Sequence, residues 1–260
     1  MKRHIVPTVL VLFALAAGPA FSNTVSFKLS YFVPSMGYVN ASDSFWKTEF
    51  DNMSFTKTNF QDSSFGFAYE YFLTREFSLI FGIDTYSKNK AGSYKDYVGY
   101  TIDNEDWAFP NDYQGDFMPG HSLNISITPI QVSLKVAPLG RRVKLIPYFG
   151  AGAGLYIWSL RMQGDMIDFS QPATYDDPQY GPIPVYPIYP VNAIEGENFG
   201  KIAFGYQVFG GVQFPIGNRL TLEAEFKYNH AKASLGDAFQ GFEPLDIGGF
   251  QISMGLNYWF

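Results

Sequence analysis

Glu223, Glu225 and Lys227 stand two apart in "LEAEFKYNH", and Lys28, Glu70, Asp84 and Lys135 sit inside other aromatic-rich stretches of the chain. Carboxylates and ammonium groups at this spacing could pair, hold an ion or pass a proton. Just downstream, His230 and Ser234 in "HAKAS" are the types that supply a base and a nucleophile. Their spacing argues against that use. On a strand, residues two apart share a face at about 7 Å, whereas residues four apart lie near 13 Å, too far for a base to hold a nucleophile. The chain has 3 His, one within the first 22 residues, so no triad or metal-ligand constellation stands out, and no calcium-loop motif occurs. The expectation is no enzyme, with no catalytic residue, metal or cofactor.

The elements that must position these residues are strands. "MKRHIVPTVLVLFALAAGPAFSN" has a basic start, an uncharged apolar run and a small-residue site, so residues 1–22 read as a signal peptide and 23–260 as one domain. Without Cys there is neither a lipid-anchor cysteine nor a disulfide framework. A net charge of -6 without a basic cluster argues against nucleic acid. From Asn23 onward a two-residue period recurs, as in Val25, Phe27, Leu29, Tyr31 and Val33, or Phe77, Leu79, Phe81 and Ile83. Eight such segments are expected, near 25–33, 65–71, 77–83, 130–136, 145–158, 202–214, 220–230 and 250–260. Ile125 and Ile127 have the opposite phase to Ile130 and Val132, which suggests a bulge near Thr128-Pro129. Short connections, "TRE", "PLGRR" and "PIGNR", alternate strictly with long ones, which run around 88–122 and 162–198.

One face of each segment is aromatic and aliphatic, the other mostly Gly, Ala, Ser and Gln with a few charges. A soluble meander barrel would show water a denser set of Lys, Glu and Thr, so lipid is the natural solvent for the aromatic face. Closure is then obligatory, because no backbone donor finds water in hydrocarbon. The expected fold is an all-β, eight-stranded antiparallel up-and-down transmembrane β-barrel with short periplasmic turns and long extracellular loops.

The runs "IPYFGAGAGLYIW" (146–158) and "FGYQVFGGVQFPIGNRLTLEAEFKYNH" (204–230), with a last strand ending Tyr258-Trp259-Phe260, resemble the small bacterial outer-membrane β-barrel superfamily. That superfamily includes the membrane domain of outer membrane protein A and the outer membrane protein W group. The resemblance spans the mature chain in pattern and residues 146–260 in motif. It implies an outer-membrane location after export, and a C-terminal signal at Tyr258 and Phe260 read by the barrel-assembly machinery. Some members act on lipid A, for which His230 and Ser234 are a poor fit.

On the inward face, Lys28, Glu70, Lys135 and Glu223 fall three or four residues from the nearest turn or terminus, roughly 10 Å up. With Asp84, Glu225 and Lys227 they are expected to form a paired polar network, Glu223 and Glu225 taking Lys28, Lys135 or Lys227, that obstructs a narrow lumen. In the loops, "DNEDWAFPNDYQGD" (103–116) gathers acids around Trp107 and Tyr113, while 172–190 intersperse six prolines with tyrosines including Tyr186 and Tyr189. Proline there favours extended polyproline II structure. The functional expectation is a structural or surface-interaction protein, with a narrow channel for small or apolar solutes as the alternative. Outer-membrane lipid and lipopolysaccharide are the expected partners; the sequence names no extracellular one.

Overall fold

The computed structural model describes residues 23–36, 44–196 and 200–260; the expected signal peptide lies outside them. In chain order the elements are β1 (Thr24–Pro34), α1 (Phe45–Asn52), β2 (Asp62–Phe72), β3 (Phe77–Ser93), β4 (Tyr97–Ile102), β5 (Glu105–Pro110) and β6 (Gly120–Val136). There follow β7 (Ile146–Ile167), β8 (Ala173–Asp177), β9 (Gly181–Glu195), β10 (Lys201–Pro215), β11 (Leu220–Ala233), β12 (Leu245–Asp246) and β13 (Gly249–Trp259). Eight of these strands close an antiparallel barrel in the order β1, β2, β3, β6, β7, β10, β11, β13 and back to β1. The residue before β1 is tied to the last residue, by Asn23 N–H to the Phe260 carbonyl (2.9 Å) and Phe260 N–H to the Asn23 carbonyl (3.0 Å).

The register fixes the barrel's tilt. From Phe77 the paired residues run through Val136, Phe149, Gly210, Phe226, Ile252, Tyr31 and Ser63, returning to β3 at the level of Ser87. One circuit thus climbs ten residues, from 77 to 87, which for eight strands implies a tilt of roughly 40° and an interior that side chains can fill. Glycine makes room where filling is tightest. A Cβ at Gly152 would overlap Ser133 and the Val132 carbonyl, and one at Gly150 would overlap the Phe209 ring.

No bulge interrupts β6. Ile83 pairs with Ile130 and Tyr86 with Ile127, one unbroken register across Thr128 and Pro129. What changes there is the polarity of the two faces. Toward the short turns, Ile130, Val132 and Leu134 point out and are exposed, while Gln131, Ser133 and Lys135 point in. Toward the long loops, Leu123, Ile125 and Ile127 point in and are buried, and Asn124 and Ser126 point out. β7 inverts similarly: Leu155 and Ile157 face out below, whereas Trp158, Leu160 and Met162 are buried within above.

The long connections are largely ordered. β3 and β7 continue well past the expected strand ends, and β4 and β5 form a hairpin whose turn residues Asp103 and Asn104 take φ 53° and 66°, as two-residue hairpins require. The proline-rich stretch is β structure, not an isolated polyproline segment: β9 pairs with β7, β8 and β5. The segment from 44 to 60 adds no barrel strand. It holds α1, started by Ser44 Oγ accepting from Lys47 N–H (3.4 Å), with Trp46, Glu49 and Phe50 on its buried face. Trp46 donates to the Glu243 carbonyl (2.9 Å) and packs on Phe242 and Phe239, so α1 caps the apolar interior at the loop end.

Candidate interior network and loop-end cap

All seven ionisable residues singled out above lie on the inward face, and the register sorts them into three groups. Near the turn end of one wall, Lys28 reaches across Gly255 of β13 to Glu223 (2.7 Å) and Glu225 (2.8 Å). Glu223 also accepts from Gln213 (2.6 Å) and Asn257 (3.0 Å), and Glu225 from Tyr148 (3.0 Å). On the opposite wall Lys135 meets Glu70 (2.8 Å), and Ser78 donates to the same carboxylate (2.5 Å). Lys135 lies over the Tyr148 ring, 4.2 Å from its centroid, which links the two walls. One level higher Lys227 of β11 meets Asp84 of β3 at 2.7 Å. These strands are four apart in a ring of eight, so the pair crosses the barrel's diameter.

Lys135 therefore goes with Glu70, and Lys227 with Asp84, in place of the expected partners Glu223 and Glu225. The reason is geometric. A shear of ten residues places groups equally far from their turns at different heights on opposite walls, so the single expected layer becomes two walls and a crossbar. Neutral groups that the sequence reading passed over complete it: Gln131 donates to Tyr156 (2.8 Å) and Asn229 (3.0 Å), and Gln207 to Ser133 (2.5 Å). Their only sequence signal is a shared inward phase. Two cavities among these side chains measure about 20 Å³ each, room for about one water molecule apiece. The plug continues to the turn end, where Arg141 lies 3.8 Å above the Phe72 ring and donates to the Thr74 (2.8 Å) and Arg75 (2.7 Å) carbonyls.

Above the crossbar the described interior is mainly apolar, but it holds two buried carboxylates: Glu195 of β9, which pairs with Lys201 and accepts from Gly236 N–H (3.0 Å), and Glu49. Glu49 of α1 is buried, accepts from the Tyr94 hydroxyl (2.9 Å) and lies 3.7 Å from His121 Nε2. Burial pushes its carboxyl up to about 7 against the lowering effect of Tyr94, and pulls His121 down to about 4. The Tyr94 hydroxyl is raised by burial first and by the neighbouring Glu49 second. Sequence reading missed this cluster, because Glu49 and Tyr94 lie in connections that carry no period and His121 lies on the part of β6 beyond the expected strand.

The remaining candidates are dispersed. Trp107 pairs with Pro187 across β5 and β9, Tyr113 packs on Phe109 and Tyr180, and Tyr186 packs on Tyr97 and Phe169. These three rings support the loop-end sheet, while exposed Tyr189 and half-buried Trp107 line a groove of about 520 Å³ with Glu105 and Asp106. His230 points outward against Tyr206, and Ser234 lies beyond the end of β11, so the structure does not bring them together as base and nucleophile. Tyr258 faces outward and accepts from Arg219 (3.2 Å); the Phe260 ring is exposed.

The chain matches no protein-family model and no curated protein. Among solved structures it is similar to Neisserial surface protein A, at 11% identity over 93% of this chain and 100% of that one, with a TM-score of 0.44. The outer membrane protein OprG from Pseudomonas aeruginosa gives 10% identity over 93% and 96%, with a TM-score of 0.47. Ail, the attachment invasion locus protein of Yersinia pestis, gives 11% over 92% and 97%, with a TM-score of 0.37. At such values the likeness carries no argument about function, and the barrel rests on its own strand pairing.

Proposed function

We propose that this chain is a bacterial outer-membrane barrel protein with a sealed interior, whose role is structural or surface interaction through its raised loop end. One observation carries the reading: the inversion of the barrel's faces part-way along its strands. Below the inversion, aromatic and aliphatic side chains such as Phe27, Phe204, Phe226 and Met254 are exposed around the outside while the inside is charged. That is the pattern lipid demands. On β13 the outward row Phe250–Tyr258 covers nine residues, about 30 Å of strand, or roughly 23 Å of height at a 40° tilt, close to the usual apolar band. Above the inversion the barrel is built as a soluble protein, apolar within and polar without. The short turns are then periplasmic and the long connections extracellular.

The sealed interior favours a structural or binding role over conduction. Among the described residues, the Lys227–Asp84 crossbar, the two walls beneath it and α1 above it lie in series along the barrel axis. Refolded protein in planar bilayers is expected to give no resolvable single-channel conductance. Steady conductance would favour the channel alternative instead. The apolar lining beneath α1 gives that alternative its one specific support, as a passage for small apolar solutes opened by displacement of the helix. Lipopolysaccharide around the belt, and an assembly machinery that reads Phe260, are the partners this reading implies.

A further inference from the structure

The three short turns repeat a chemistry that the interior does not use. Leu73 and Arg75 lie in the first, Leu139, Arg142 and Lys144 in the second, and Ile216 and Arg219 in the third. The aliphatic members are well exposed, Leu139 at 63%, Ile216 at 56% and Leu73 at 42%, which is unfavourable for turns bathed in water alone. Residues 73–76, 137–145 and 216–219 together carry five cations, Arg141 included, against the single acid Glu76, whereas residues 94–119 at the other end carry six acids against Lys95. The molecule is polarised along its axis. Between the first two turns is an open cavity of about 730 Å³, bordered by Phe72 and Trp259, by Leu73 and Leu139, and by Arg75 and Arg142. Arg141 is committed to the Thr74 and Arg75 carbonyls, while Arg75, Arg142, Lys144 and Arg219 are exposed.

We infer that these turns bind the headgroups of anionic phospholipids in the leaflet they face. Each guanidinium takes a phosphate in bidentate fashion while the adjoining aliphatic side chain enters the upper acyl region. The inference rests on the membrane reading above and adds a ligand class to it. A soluble acidic partner would account for the cations but would leave Leu73, Leu139 and Ile216 wet; a lipid accounts for both, because each turn adjoins the apolar belt. A basic side chain near an anionic membrane surface favours contact by roughly fivefold.

The test uses the mature chain refolded into vesicles of equal phosphatidylethanolamine and phosphatidylglycerol, extracted gently and weighed by native mass spectrometry. Phosphatidylglycerol is expected to be retained over phosphatidylethanolamine by at least roughly fivefold at low salt, and less at high salt. The combined variant Arg75→Gln, Arg142→Gln, Lys144→Gln, Arg219→Gln spares Arg141, which holds a turn. It should keep the heat-modifiable mobility of a folded barrel and lose the preference. Equal retention of both lipids by wild type, or an undiminished preference in the variant, overturns the inference. So does binding to purified peptidoglycan that the variant loses, without any lipid preference, since the turns would then serve a periplasmic polymer. Failure to enter these vesicles is a different result: it removes the membrane reading, and this inference with it.

Discussion

At the residue scale the interior is a set of charges that tolerate burial only because each has a partner. Lys227 and Asp84 are the clearest case, since both are buried and their contact spans the barrel. Removing one partner leaves the other stranded, a loss of about 3–5 kcal/mol where water does not reach, whereas removing both with apolar residues of similar size is often near neutral. Lys227→Met should therefore lower stability by about that amount in a urea titration of the refolded protein in detergent. Adding Asp84→Leu should recover most of it, giving a large coupling in the double-mutant cycle. A loss below about 1 kcal/mol for the single change would mean that the crossbar is solvated. The sites of these charges were legible in the sequence, because a period of two assigns Asp84 and Lys227 to the inward face without knowledge of the fold. Their pairing was not, since partner choice across a barrel depends on the shear, a property of all eight registers together. The supporting amides of Gln131, Gln207, Gln213 and Asn229 were visible in phase but read only as small polar filling.

At the element scale the strands were legible and the connections were not. Ile125 and Ile127 show why: their phase change has the look of a bulge when one solvent is assumed along the whole strand. The strand is unbroken, and on the proposed membrane reading the change marks its passage from one solvent to another. Hairpin β4–β5 and strand β9 escaped notice because their faces pack on each other and on the barrel in no simple alternation, and α1 because eight residues carry little periodic signal. The docking of α1 should be linked to two opposed titrations. Solvated, Glu49 titrates near 4.5, and docked near 7, so the docked state holds the extra proton. Its contribution is full below about pH 4.5 and is lost as pH rises through 7. His121, pulled from 6.5 to about 4, acts oppositely, weakening docking as pH falls from 6.5 toward 4. The two windows overlap between about pH 4.5 and 6.5, where effects of about 3 kcal/mol each oppose one another, so docking of the wild-type helix should change by less than about 1 kcal/mol between pH 4 and 9. Protection factors for amides 46–52 would report it: Glu49→Gln removes the opposing effect and should uncover a gain of about 3 kcal/mol as pH rises from 4 to 6.5, whereas a pH response unchanged by the substitution would place the titrating group elsewhere. The closing strand offers a second test. Because Phe260 holds Asn23 through its backbone, Phe260→Ala keeps closure and removes only the ring. It should impair assembly in cells and leave refolding in detergent unchanged, while equal losses in both would take away any role in recognition.

At the scale of the whole molecule, two barrels of opposite polarity share one set of strands: a lower one with charges inside and an apolar wall, and an upper one with an apolar core, a helical cap and a polar wall. The boundary between them should be where the bilayer ends, and one strand is enough to locate it. Leu134 and Ser126 both face outward on β6, eight residues and about 26 Å of strand apart. Leu134, opposite Leu79 and Ala151, lies in the apolar belt; Ser126, opposite Ser87 and Ser159, lies beyond it. An arginine at the first site must carry its charge into hydrocarbon or drag water and headgroups inward, a cost of about 2–4 kcal/mol near the midplane. An arginine at the second meets water and should change stability by less than about 0.5 kcal/mol, as at ordinary surface positions. Measured as unfolding in vesicles, Leu134→Arg should therefore be severe and Ser126→Arg nearly silent. In a detergent micelle, which deforms easily around a charge, the difference should narrow. Equal costs at the two sites would mean that lipid covers the upper wall as well, and the inversion at Thr128-Pro129 would need another cause. Equal silence would mean that the exposed belt faces something other than hydrocarbon.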